Sequence, residues 1–185
     1  MFIQTEATPN PEALKFLPGR PVLVSGTATF TQETGAEASP LATRVLAVAG
    51  VREVFLATEF LSVTKAPTGE WTSLKPAILG AIMDHYQSGA PAMVEATEAA
   101  VTASYDAADA EIVVQIKELL DTRVRPAVAR DGGDIVFQGF DQGVVYLHMH
   151  GACSGCPSST ATLKMGIEQL LKHYVPEVVE VRALG

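Results

Sequence analysis

Cysteine is scarce in this 185-residue chain, which has two, and tryptophan occurs once. Two cysteines are too few for a disulfide framework. Basic residues are outnumbered, with 13 Lys and Arg against 21 Asp and Glu for a net charge of −8. A nucleic-acid binder needs a basic face, so that class is excluded. No apolar run approaches the roughly 20 residues of a membrane span. The first residues, MFIQTEATPNP, have neither the basic and apolar regions of a secretory signal nor the Arg and Ser content of a transit peptide. The expectation is a soluble cytoplasmic protein with no nucleic-acid and no membrane partner.

What the chain does have divides it. Residues 1–90 carry 6 basic and 8 acidic side chains, residues 111–185 carry 7 and 9, and residues 91–110 carry four acids, no base and eight Ala. Half the net charge therefore lies in 20 residues that offer little to bury. Such a stretch reads as an acidic, Ala-rich linker, semi-rigid where its alanines favour helix. The expected fold class is α+β, with two small α+β domains at 1–90 and 111–185 joined by the linker 91–110.

In the first domain, Met1–Glu6 and Ala13–Leu17 read as strands around a turn with two prolines. Ser39-Pro40 starts a helix, with Ser as N-cap and Pro in the first turn, and Gly50 ends it. Val51–Ala57 and Phe60–Lys65 read as a hairpin. A second helix, capped by Ser73 and stopped by Gly89, carries Leu74, Ile78, Ile82 and Tyr86 on one stripe. In the second domain, Ile112, Ile116, Leu119 and Leu120 mark a helix that Pro126 should kink or convert in its last turn. Asp131-Gly132-Gly133-Asp134 reads as a tight turn and Ile135–Phe140 with Val144–His150 as a hairpin. A helix from Ser158 or Ser159 should bury Leu163, Ile167, Leu170, Leu171 and Tyr174. Val178–Arg182 reads as a final strand.

Both cysteines fall in Gly151-Ala152-Cys153-Ser154-Gly155-Cys156-Pro157, between a strand end and a helix start. The free N–H groups of a helix N-terminus attract negative charge. Gly151 and Gly155 let backbone amides approach the sulfurs, as in anion and iron–sulfur sites. The expectation is thiols of lowered pKa that serve as metal ligands or nucleophiles. The spacing alone fits zinc, an iron–sulfur cluster or a redox dithiol. A closed zinc or [4Fe–4S] site takes about four protein ligands. With two per chain, a cluster requires two chains, each contributing Cys153 and Cys156 about a two-fold axis. Zinc would instead recruit His148 and His150. These alternate with Val145, Leu147 and Met149, the more apolar set, and so read more simply as residues of the polar sheet face.

The runs DTRVRPAVARDGGDI, VVYLHMHGACSGCPSSTATLKMGIEQLL and YVPEVVEV resemble the C-terminal domain of NifU and Nfu-type proteins. The core pattern G-x-C-x-x-C-P-S-S-x-x-T-L-K-x-G-I-E is present from Gly151 to Glu168. TPNPEALKFLPG, SPLATRVLAVAGVREVFLATEFLSVTK and LKPAILGAIMDHY resemble the Nfu N-terminal domain. The architecture is similar to the two-domain Nfu type and not to full-length NifU. The resemblance implies a non-enzymatic carrier that holds a [4Fe–4S] cluster, with a [2Fe–2S] form left open. The cluster would lie between the subunits of a homodimer and pass to apo iron–sulfur enzymes from an upstream scaffold. Cys153 and Cys156 are the implied ligands, with Gly151, Gly155 and Pro157 shaping their loop. The Asp131–Asp134 turn reads as structural. The N-terminal domain, with no Cys and only His85, shows no catalytic constellation, which leaves partner docking or tuning of dimerisation as its expected role.

Overall fold

The structure, a computed structural model, describes residues 2–34, 36–94, 103–155 and 157–184, the side chains of 157–159 excepted. The chain divides into two compact units, residues 1–99 and 100–185. Each is α+β, and no helix among the described residues is long and apolar enough to cross a membrane.

The first unit contains β1 (Gln4–Ala7), β2 (Ala13–Leu17), β3 (Ala28–Thr31), α1 (Pro40–Leu46), β4 (Val51–Leu56), β5 (Leu61–Lys65) and α2 (Trp71–Ser88). Its sheet runs β1-β2-β5-β4-β3 and every pairing is antiparallel. Alternating strand residues Phe16, Val54, Leu56, Leu61 and Val63 meet Leu41, Val45, Leu74, Ile78 and Ile82 from the two helices in one core. Ser39 caps α1 as expected, accepting the Ala42 N–H at 3.0 Å, and its hydroxyl donates to Ala92 O. Two expectations need correction. α2 begins at Trp71, before Ser73, with Glu70 at the N-cap and no side-chain cap bond. The Trp71 indole N–H instead anchors the start by donating to Pro11 O at 3.0 Å. β3 was not anticipated, because four residues in a Thr- and Gly-rich stretch give too little alternation to read; pairing with β4 makes it a strand.

The second unit contains β6 (Ser104–Tyr105), α3 (Ala110–Leu119), a π-helical turn over Leu120–Val124, α4 (Arg125–Arg130), β7 (Gly133–Asp141), β8 (Val144–Gly151), α5 (Pro157–Tyr174) and β9 (Glu180–Leu184). The sheet order is β6-β7-β8-β9, with β7–β8 antiparallel and the flanking pairs parallel. Pro126 lacks the N–H that would continue α3, and the wide turn just before it absorbs the break. Ile135, Phe137, Val145, Leu147 and Met149 from the hairpin pack against Ile116, Leu120, Val128, Ile167 and Leu171. Glu168 docks α5 on β9 by accepting the Val181 N–H at 3.0 Å. Tyr174, expected inward, is 46% exposed. Its ring lies at the end of α5 with the Arg123 guanidinium 5.0 Å from the centroid, an arrangement that suits an amphipathic side chain.

Both ends of the acidic stretch 91–110 take part in the units beside them. Ala92 and Met93 pack on the first core, and the Val94 N–H donates to Ala38 O at 2.8 Å. Ser104–Tyr105 joins the second sheet, and α3 begins at Ala110. Residues 95–102 lie outside the described residues.

Candidate metal centre

The site is built where the β7–β8 ladder ends. The final pair of that ladder is Gly133 opposite Gly151, preceded by Asp134 opposite His150. Gly151 has φ +64° and turns the chain out of β8, and Gly155 has φ +76°. The loop is closed by backbone bonds: Ala152 N–H donates to Gly132 O at 3.1 Å, and Ser154 N–H to Gly151 O at 3.0 Å. The Ser154 hydroxyl also donates to Gly151 O at 2.9 Å. From the first turns of α5 the Thr160 hydroxyl donates to Cys153 O at 3.0 Å. Cys156 lies outside the described residues.

Cys153 is a free thiol and belongs to the hydrophobic core of the second unit, 6% exposed. A Cβ on Gly133 would lie 2.6 Å from the Cys153 Sγ and 2.7 Å from His150 O. Glycine at 133 therefore makes room for the sulfur. The structure corrects the expectation of a lowered thiol pKa here. Burial pushes the Cys153 thiol up to about 12, and Asp131 and Asp134 add to the rise. A thiol turned into the core loses more from desolvation than the nearby helix terminus returns.

Behind the loop, Arg125 binds Asp134 with two parallel bonds, Nε to Oδ1 at 2.8 Å and Nη2 to Oδ2 at 2.7 Å. It reaches Asp121 as well, at 3.1 Å. These bonds raise the guanidinium pKa. Asp134 is 4% exposed and also accepts the Ile135 N–H at 2.9 Å. The pair ties α4 to the first residues of β7, and so to the seat of Cys153. The Asp131–Asp134 turn is structural in this sense. The sequence shows no local sign of the Arg125 partnership, because the nine-residue separation matches no helical or strand spacing.

The histidines sit as the alternation of β8 requires. Val145, Leu147 and Met149 are buried in the core, which leaves His148 and His150 on the opposite face. Their rings stack with centroids 4.4 Å apart. Burial, and then His148, push the His150 pKa down to about 4, with Asp134 opposing. Cys153 lies in the core that the other face covers. Among the described residues no group of three or more His, Cys, Asp and Glu is placed to hold a metal ion. A cleft of about 250 Å³ between α3 and β7 is lined by Lys117, Leu120, Asp121, Arg125, Ile135, Val136 and Phe137, none of them a thiol. His85 of the first unit is 1% exposed, beneath the surface.

Comparison with known proteins places these features. Residues 3–89 match the family model described as scaffold protein Nfu/NifU N terminal, and residues 116–182 match the NifU-like domain. The chain is 51% identical over 181 residues to NifU-like protein 4, mitochondrial, of Arabidopsis thaliana, covering 96% of this chain and 64% of that protein. It is 48% identical over 179 residues to the human NFU1 iron-sulfur cluster scaffold homolog, mitochondrial, covering 96% of this chain and 70% of that one. The chain spans just under two thirds of the Arabidopsis protein. A solution structure of a NifU-like protein from Saccharomyces cerevisiae aligns over 51% of this chain and 86% of its own at 25% identity, TM-score 0.47. These names overturn the cytoplasmic expectation, since relatives at about 50% identity are mitochondrial proteins. That expectation rested on the first residues of a chain shorter than these relatives. Two domain matches in one order and half-identity along nearly the whole length show that the chain belongs to the Nfu and NifU-like family.

Proposed function

We propose that this chain is an iron–sulfur cluster carrier, not an enzyme, and that Cys153 and Cys156 hold a [4Fe–4S] cluster between two copies for transfer to apo-proteins. The observation that carries the reading is the cysteine count. The chain has two, four residues inclusive apart, at the junction of β8 and α5. A [4Fe–4S] cluster takes four thiolates, so two chains supply the set. Relatives named iron-sulfur cluster scaffolds support the cargo. A cluster at an interface is open to incoming thiolates, which replace its ligands one at a time. An upstream scaffold supplies it, and apo iron–sulfur enzymes receive it. The first unit docks partners in this reading.

The residues present suit this cargo. The loop is short, glycine-flanked and pinned at its backbone. Binding must remove a proton from Cys153, whose pKa is pushed up to about 12. Cluster uptake is therefore expected to strengthen as pH rises, with protons released on loading. The placement of His148 and His150 on the other sheet face weakens the case for a zinc module.

Anaerobic reconstitution with iron and sulfide tests the reading. About four Fe per dimer, with dimerisation that depends on the cluster, is the expected result. Stable zinc at one per monomer with no cluster uptake, or dithiol turnover without iron, would overturn it. Transfer to every acceptor at unchanged rates after removal of residues 1–90 would overturn the docking role of the first unit.

A further inference from the structure

We infer that Gly133 is a positioning residue for Cys153: the space it leaves is a seat that stores the thiol in the metal-free chain, and the sulfur leaves that seat to become a ligand. The two glycines face each other as the last pair of the β7–β8 ladder. With no side chain on Gly133, the ladder leaves a hollow on that side. The Cys153 side chain fills it, with Sγ 2.6 Å and Cβ 3.1 Å from the place where a Gly133 Cβ would stand. Any larger residue at 133 competes for the volume the sulfur occupies.

The stored position is incompatible with a shared cluster. Cys153 is 6% exposed, and a ligand that serves two chains must reach beyond the surface of its own. This second half of the inference rests on the carrier reading. The backbone on both sides of the cysteine is held at Gly151 O, Gly132 O and Cys153 O. Release thus needs a side-chain rotation and a local opening of the loop, not unfolding of the unit. The Thr160 hydroxyl on Cys153 O is the contact from α5 that such an opening breaks. Between loads the seat shields the thiol from oxidation and alkylation. During transfer it competes with the cluster for the same sulfur.

The test uses the full metal-free chain with Cys156→Ser, so that one thiol is read, and follows iodoacetamide labelling of Cys153 by mass. Labelling is expected to be at least ~100-fold slower in the folded protein than in guanidinium, as for a site that reacts only when opened. Its rate should stay flat in low urea, because a local opening exposes little surface. Gly133→Ala should speed labelling at least ~10-fold. A Cβ there also crowds His150 O, so Thr160→Val is the second variant, expected to speed labelling about five-fold with the flat urea profile kept. Labelling at the unfolded rate in the native protein, a rate that climbs steeply from the first additions of urea, or no change in Thr160→Val would overturn the seat. The second arm uses both cysteines and measures cluster loss to a chelator, which Thr160→Val should slow. Failure to load any cluster sinks the carrier reading and leaves the labelling result standing. Equal loss rates sink the competition.

Discussion

The two units use burial in different ways. In the first, the buried side chains of Ser39, Asn10 and Lys15 are tied down by the contacts they make, while the buried His85 Nδ1 and Tyr86 hydroxyl have no hydrogen-bond partner. Ser39 is fully buried and holds both Ala42 N–H and Ala92 O, while the Asn10 side chain accepts the Glu12 N–H at 3.0 Å. Lys15 is 7% exposed, paired with Glu6 at 3.4 Å and placed over the Phe60 ring. In the second unit the reactive atom, the Cys153 sulfur, sits among apolar side chains and is positioned by the space that Gly133 leaves. A group fixed by its own hydrogen bonds is a structural part. A group fixed by a hollow is held by the packing around it.

The largest effect that would break this comparison is loss of cargo. Cys153→Ser or Cys156→Ser is expected to abolish cluster uptake and cluster-dependent dimerisation while the circular dichroism of the metal-free chain is kept. Retention of a cluster by either variant would return the cysteines to the structural class.

Next in size is Arg125→Ala, expected to cost the second unit about 2–4 kcal/mol in urea unfolding by removing the guanidinium from the buried Asp134 carboxylate. The lower part of that range applies because the Arg125 side chain is 40% exposed. If the cost falls below that of an ordinary surface change, the pair is not what supports the seat.

Ser39→Ala sharpens the other side. It removes a buried helix cap and is expected to destabilise the first unit by about 1–2 kcal/mol, leaving labelling of Cys153 unchanged.

The last comparison is a pH dependence. His150 takes a proton at about 4 in the folded protein and at 6.5 ordinarily. The unfolded chain therefore binds the extra proton between these values. The contribution of His150 to stability is present above pH 6.5 and is lost as pH falls toward 4. The urea midpoint of the second unit should fall over that window, and His150→Asn should flatten the fall. His85, whose pKa is lowered by burial and then by Arg44, gives the first unit a loss of the same sign.

Most element types were legible because they rest on local periodicity. The stripe through Leu74, Ile78 and Ile82 and the alternation of Val145, Leu147 and Met149 predict which face goes inward, and all six are buried. Strand β3 and the two-residue β6 escaped this reading. Each is too short to carry a period and exists through its pairing partner. The cysteine loop was legible as a turn between a strand and a helix, but the burial of Cys153 was not. A helix start and two glycines argue for a thiolate, and only the fold turns that sulfur inward.

The sequence by itself determined the number and spacing of thiols. It also determined the two amphipathic units. Tertiary structure alone decided that Cys153, twenty residues from Gly133, would occupy the space that glycine leaves, and that Arg125 would hold Asp134 behind it. The reason is physical. Periodicity acts between neighbours on one element, and a hollow exists only once two distant strand ends have met.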